Sequence, residues 1–306
     1  MKKSNSSQST NLKRIMAQAL KAVSLDPREV EKLLKDEKKT IALKNSFEEL
    51  IRSINTSLGV NHYTEEKVER YSYYPNKWKV PALPNLQRQA NKLFPDLKFL
   101  PQLPLRRSRR GFDGIAPIPK ILSLGRILGI EDPYGDGYCE IVDHLLCMIQ
   151  KRRSLEHFCW DREHMRRDIR INPCVRPKLE SIEQETPGDY LFQPISFGEL
   201  YACYSARNAR QTALGMLQLP LGAAHVACLL LLMPKRLGCD KDLFVLCPGD
   251  QCRSHDFEDG VNIRRFKDGL FGCPLFSVQD DYLDFSSEWA CQGSCDSGSA
   301  IAYLGP

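Results

Sequence analysis

Cys247, Asp250, Cys252, His255 and Asp256 crowd into ten positions of the stretch "LCPGDQCRSHD". Two chemistries suit those residue types. Asp250 falls just past the carboxyl end of the apolar run "DLFVLC", where open α/β sheets gather their ligands, and His255 could serve it as a proton-transfer partner. A zinc site would need about four ligands in a tetrahedral array. Cys247 or Cys252, His255, Cys291 and Cys295 are the candidates, yet four residues separate the first cysteine pair and three the second, and no C-x-x-C pair occurs. No metal and no cofactor are therefore expected. The plain alternative makes "PGD" a turn in which Asp250 satisfies its own backbone while the cysteines only pack.

A second candidate lies in "FGELYACYSARNARQ". If Ser205 caps the helix that follows, the free N–H groups of its first turn, with Arg207 and Arg210 one turn apart, make a site for a phosphate or a carboxylate. An ordinary capped helix with two solvated arginines is the alternative. The third candidate pairs "RYSYYPNKWK" (70–79) with "RRSRR" (106–110). Rings such as Tyr74 and Trp78 stack on bases, and Lys77, Arg106, Arg107, Arg109 and Arg110 neutralise phosphates, as single-stranded nucleic acid requires. Equally, tyrosines beside prolines pack a wrapped segment, and a basic run pairs with the protein's own acids. His157, Cys159 and His164 are metal-capable types, but "HExxH" spacing is absent and the stretch reads as a charged surface helix.

Net charge of +5 conceals an asymmetry: residues 1–130 hold 25 Lys/Arg against 12 Asp/Glu, and 181–306 hold 9 against 16. Such a basic front suits a polyanion partner, or attraction to the acidic back half. The longest apolar stretch, 223–233, has eleven residues and contains His225, too short to span a bilayer, so no membrane partner is expected. All twelve cysteines lie between Cys139 and Cys295. Without a signal peptide or close pairs they read as thiols of a reducing cytoplasm. Residues 1–23 lack an acid and read as a basic helix, with an organelle transit peptide as the alternative.

The elements that must position these groups follow from periodicity and punctuation. Helices are expected over 12–23, from "DPRE", and through "SFEELIRSINTSLG", so that residues 1–60 form a basic helical region. Eight prolines between 75 and 119 break the next stretch, where only "NLQRQANKLF" is helical. Residues 61–110 read as a connector wrapped on a domain, since its rings and leucines are too apolar to stay solvated. From 111 onward the pattern is a main α/β domain. It comprises a helix at "EIVDHLLCMIQKRR", a strand at "YLFQPISF", a helix at "ARNARQTALGML", a buried helix at "LGAAHVACLLLLM" ending near Pro234, and a strand at "DLFVLC". Turns at "EDG" and "KDG" suggest C-terminal β-hairpins. The fold class is α+β or mixed α/β, with central helices packed on a mixed sheet.

The segments "GFDGIAPIPK", "FQPISFGELYACYSARNAR", "PLGAAHVACLLLLMPKRLGCDKDLFVLCPGD" and "GSAIAYLGP" together resemble a set of bacterial proteins of unknown function. The likeness spans roughly 111–306. It rests on a glycine after an aromatic, an arginine-bearing helix start, a Leu-rich helix closing on Pro and a strand ending near an aspartate. The resemblance implies no activity, favours Arg207, Arg210 and Asp250 as site residues, and disfavours a cysteine-based site.

Two function classes follow. One is a cytoplasmic binding protein whose basic N-terminal part engages single-stranded nucleic acid. The other is an enzyme acting on a phosphorylated or carboxylated small anionic compound through Asp250, His255, Arg207 and Arg210, and it requires that the four converge.

Overall fold

The computed structural model describes residues 61, 63–69, 78–99, 112–156, 169–252 and 272–304. All of them belong to the compact unit Asn55–Pro306. The helices expected within 1–60, the cluster His157, Cys159 and His164, and the "EDG" and "KDG" turns lie outside the described residues.

The class is α+β. Helix α1 (Leu83–Leu93) starts on Pro84 in its first turn, where a missing N–H does no harm. Strand β1 (Gly114–Pro119) leads into α2 (Ile121–Leu128), which stops at Gly129 in the left-handed region. Helix α3 (Tyr138–Gln150), which covers most of the helix expected at "EIVDHLLCMIQKRR", buries Ile141, Val142, Leu145, Leu146 and Ile149. After the short strands β2 (Leu155–Glu156) and β3 (Arg170–Ile171) come α4 (Arg176–Glu185) and the long strand β4 (Tyr190–Ala202). Helix α5 (Ala206–Leu214), strand β5 (Gln218–Pro220) and helix α6 (Ala223–Leu232) follow, then β6 (Phe244–Leu246) and β7 (Asp250–Gln251). The chain closes with β8 (Gly272–Gln279), β9 (Tyr282–Trp289) and β10 (Ser297–Tyr303).

Among the described residues the main sheet runs β1-β4-β10-β6-β8-β9-β2, with β5 also on β10; β3 and β7 form a separate pair. Strand β10 is antiparallel to β4 and β5 and parallel to β6, so the sheet is mixed. Every residue of α6 is buried, His225 included, as expected of a helix apolar on all sides. It packs on α3 and β1 and forms the centre of the core. The β8–β9 hairpin turns at Asp280 and Asp281, with φ of 47° and 68°. Two consecutive positive φ values match the twist of the flanking strands, and aspartate tolerates them better than most side chains.

Strand β4 is bent at Gly198, whose φ of +114° is reserved for glycine. There Arg236, fully buried just beyond α6, donates from Nη2 to the carbonyls of Phe197 (2.5 Å) and Leu243 (3.0 Å). Its guanidinium lies 5.9 Å from the Trp78 ring and 5.6 Å from that of Phe197, and the two rings meet edge-on at 6.0 Å. Gly198→Ala should therefore lower stability by about 1–3 kcal/mol, measured as an earlier urea midpoint. An unchanged midpoint would show that β4 tolerates another conformation at this position.

Candidate functional site

Helix α5 begins as the sequence suggests. Ser205 has extended backbone angles and its Oγ accepts from the Asn208 N–H at 3.1 Å. The anion that the site calls for is supplied by the protein itself. Ser205 Oγ donates to Glu66 Oε2 at 2.6 Å, and Arg207 Nε lies 2.9 and 2.8 Å from the two carboxylate oxygens. Arg207 Nη2 also donates to Oε1, completing a bidentate pair. The backbone closes the same joint: Ser205 N–H donates to the Glu66 carbonyl at 2.9 Å, and Val68 N–H to the Cys203 carbonyl at 3.1 Å. Asn61 Nδ2 reaches Asn208 Oδ1 and Thr212 Oγ1, each at 2.6 Å, while the Arg207 guanidinium sits 4.4 Å from the Tyr63 ring centroid. Burial pushes the Glu66 carboxyl upward, but the hydrogen bonds from Arg207 and Ser205 and the guanidinium charge outweigh it and leave it below its ordinary value.

Arg210 turns the other way. Its Nε donates to the Pro248 carbonyl (2.5 Å) and its Nη2 to the Asp250 carbonyl (2.9 Å), so it braces the "PGD" turn. Burial lowers its affinity for its proton.

Asp250 is fully buried and serves a helix remote from its own turn. Helix α6 begins at Gly222, which has no side chain to cap it. Asp250 Oδ2 accepts from the Ala223 N–H at 2.6 Å and from the Tyr138 hydroxyl at 2.8 Å, and that hydroxyl in turn accepts from the Ala224 N–H at 3.3 Å. Gly222 is needed for contact: a Cβ there would stand 2.3 Å from Asp250 Oδ1 and 2.6 Å from the Tyr138 hydroxyl. Burial raises the Asp250 carboxyl to about 7, against the opposing pull of Ala223, Tyr138 and Arg210.

Helix α2 shows the same device. Lys120 at its start offers no side-chain cap, and Glu183, 1% exposed, accepts from the N–H groups of Ile121 (2.8 Å) and Leu122 (3.0 Å) and from the Tyr134 hydroxyl (2.6 Å). Buried His225 places Nε2 3.7 Å from Glu183 Oε1, and Lys120 Nζ donates to the Glu183 and Thr186 carbonyls.

Of the residues of the enzymatic reading, Arg210 adjoins Asp250 through its carbonyl, while Arg207 turns to Glu66. Arg207 is committed to Glu66, Arg210 to two carbonyls and Asp250 to the start of α6; His255 lies outside the described residues. Of the nucleic-acid candidates, Tyr74, Lys77, Arg106, Arg107, Arg109 and Arg110 also lie outside them, and Trp78 packs on Phe197 and Arg236. Cys247 and Cys252 are fully buried, with Cys273 beside them, whereas Cys291 is exposed. Among the described residues no three His, Cys, Asp or Glu side chains are placed to hold a metal ion. Burial pushes the Cys273 thiol up to about 12 and Cys247 well above its ordinary value, so neither is a nucleophile at neutral pH. Sequence reasoning missed Glu66, Tyr138, Glu183 and His225; only the acidic pair "EE" at 65–66 and the uncapped starts at Lys120 and Gly222 hinted at them.

No family model, curated protein or solved structure matches this chain. The chemistry therefore rests on geometry.

Two outcomes are expected. Phosphate should leave the melting temperature of the native chain nearly unchanged, because Glu66 holds the site, whereas Glu66→Gln vacates a charge and should let phosphate at ten times its Kd raise it by about 2–4 °C. Adding Arg207→Ala should remove that gain, and a gain that survives would place the anion elsewhere. Second, between pH 3.8, the ordinary aspartate value, and about 7, folded Asp250 keeps a proton that the unfolded chain has lost. Stability should fall as pH rises through that window. Asp250→Asn should flatten this part of the melting profile, leaving the share due to Glu288, which burial and the Asp296 charge also raise to about 7. An identical slope in the variant would show that Asp250 is ionised in the fold.

Proposed function

We propose that the protein is a cytoplasmic binding protein whose basic front part engages single-stranded nucleic acid, mainly through Arg106, Arg107, Arg109 and Arg110. The observation that carries this reading is the anchoring on either side of the run. Before it, Phe99 stacks on Tyr190 at 4.2 Å and Lys98 N–H donates to Asp189 Oδ2 at 2.8 Å. After it, Phe112 packs on Tyr303 at 5.7 Å, Asp113 N–H donates to the Ile195 carbonyl, and Phe197 N–H donates to Asp113 Oδ2 at 2.6 Å. The chain leaves β4 near its start and rejoins it about 20 Å further along. The residues between, 100–111, carry four arginines and no acid. A basic run tied at both ends to a rigid sheet loses less entropy on binding than a free tail.

The distribution of Asp250, Arg207 and Arg210 over separate structural duties weighs against the enzyme reading. Trp78 is left out of the binding role, since its ring already has partners. The cytoplasmic setting is supported by described cysteines that are all free thiols; no described helix is long and apolar enough to cross a membrane.

Binding to an oligonucleotide without strong sequence preference should weaken steeply with salt, by a logarithmic slope of about 0.7 per neutralised phosphate. Changing the four arginines together to Gln should reduce that slope by up to about 3 without altering the melting temperature. Fluorescence anisotropy across a salt series reads this directly. Absence of salt-dependent binding by the intact chain would overturn the reading and assign the run to the protein's own acids.

A further inference from the structure

Away from the capping carboxylates, the carboxyl-terminal ends of α3 and α6 border a pocket of about 240 Å³. Its walls are Ile149, Leu230, Leu231, Pro234 and Leu283, and Arg152 and Arg153 complete the lining. No acid contributes to it. Ile149, Leu230, Leu231 and Leu283 are buried residues of the main core.

The two arginines differ in a way that defines a ligand. Arg153 is fixed: its Nη1 donates to the carbonyls of Leu237 (2.8 Å) and Pro234 (3.3 Å), and burial lowers its affinity for its proton. A partly buried guanidinium bonded only to neutral carbonyls is a cation whose charge is left uncompensated. Arg152 is exposed, and its guanidinium has no hydrogen-bond or ion-pair partner among the described residues. The helix ends carry the opposite partial charge, about half a unit each. Two full positive charges over two such ends leave an excess of about one, which matches a single anionic group.

We propose that this pocket binds a monoanionic amphiphile, a carboxylate with a short apolar tail, with the tail on Ile149, Leu230, Leu231 and Leu283 and the head group on Arg152 and Arg153. Size sets the tail. A cavity of about 150 Å³ holds benzene, so the present one takes about ten non-hydrogen atoms, the size of an eight-carbon carboxylate. A two-chain lipid is far too large. This site is independent of the nucleic-acid reading, since it lies at the far ends of α3 and α6 from the Asp250 cap and involves neither β1 nor the arginine run.

The test is calorimetric titration of the full chain with sodium octanoate, 1-octanol and acetate, so that tail, head and their combination are separated. Octanoate should bind once per chain, acetate not measurably, and octanol at least about tenfold more weakly than octanoate. Arg152→Gln, which removes no hydrogen bond or ion pair among the described residues, should weaken octanoate by about tenfold and leave octanol unchanged. Leu231→Trp should block both ligands; if that chain fails to fold, the Arg152→Gln comparison of octanoate with octanol decides the question by itself. Equal affinity for octanoate and octanol, an Arg152→Gln chain that binds octanoate as the native one does, or no saturable octanoate binding below its micellar concentration would each overturn the proposal.

Discussion

A helix that begins inside a protein presents N–H groups with no acceptor of its own, and burying them unpaired is expensive. This fold meets that demand with carboxylates from elsewhere in the chain. Glu183 reaches α2 across 61 and 62 positions, Asp250 reaches α6 across 27, and Glu66 joins Ser205 and Arg207 at α5 across 139 and 141. Asp250 and Glu183 do more than cap, and Glu66 braces the side chains of a start that Ser205 itself caps. Asp250 joins the β6–β7 turn to α3 through Tyr138, Glu183 joins α4 to Tyr134, and Glu66 pins residues 61–69 to the main body. Removing Asp250 or Glu183 would leave first-turn donors without those acceptors, and removing Glu66 would leave the Arg207 guanidinium without its carboxylate. Typical cap substitutions cost about 0.5–2 kcal/mol, and loss of a buried hydrogen-bonded charge lies at or above the top of that range.

The same constraint explains why described residues that resemble part of a catalytic constellation in the sequence carry structural bonds instead. Asp, Arg and Tyr are chosen for catalysis and for buried capping for one reason: both tasks need a strong acceptor or donor held in a low-dielectric setting. Burial shifts the ionisation of either kind of group, so the upward displacement of Asp250 marks its environment rather than its employment. What distinguishes the two uses is access. Asp250 has no exposed surface, and its Oδ2 is committed to Tyr138 and Ala223.

Local patterns carried most of the secondary structure. The stripe of α3, the uniformly apolar α6 with Pro234 behind it, the Ser205 cap of α5, and strands β4 and β6 are visible because each depends on neighbours within a turn or two. Helices α2 and α4 were missed because their own caps are absent or weak, and the β8–β9 turn was missed because Asp-Asp lacks the glycine that usually flags a two-residue hairpin. The site was legible in its components and not in its assembly. Ser205 and Arg207 define an anion site by themselves, but nothing within a hundred residues says that Glu66 fills it. "PGD" is indeed a turn, yet its aspartate satisfies a distant helix rather than its own backbone.

Charge is where the two readings of the basic front part meet. If its excess served to attract the acidic back half, pairs across the molecule should join front bases to back acids. Arg126 with Asp189, at 2.7 Å, does so, though Arg126 is largely exposed and such a pair contributes little. The pair with the most contacts runs in the opposite sense, since Glu66 belongs to the front and Arg207 to the back. One base and one acid of the front are consumed together, and among the described residues its positive excess is left undiminished. Arg236 and Arg210, both of the back half, donate to backbone carbonyls. Of the buried acids among the described residues, Glu183 and Asp250 serve helix starts, while Asp242 accepts from the Gly238 and Cys239 N–H groups and Asp284 from the Ser277 hydroxyl.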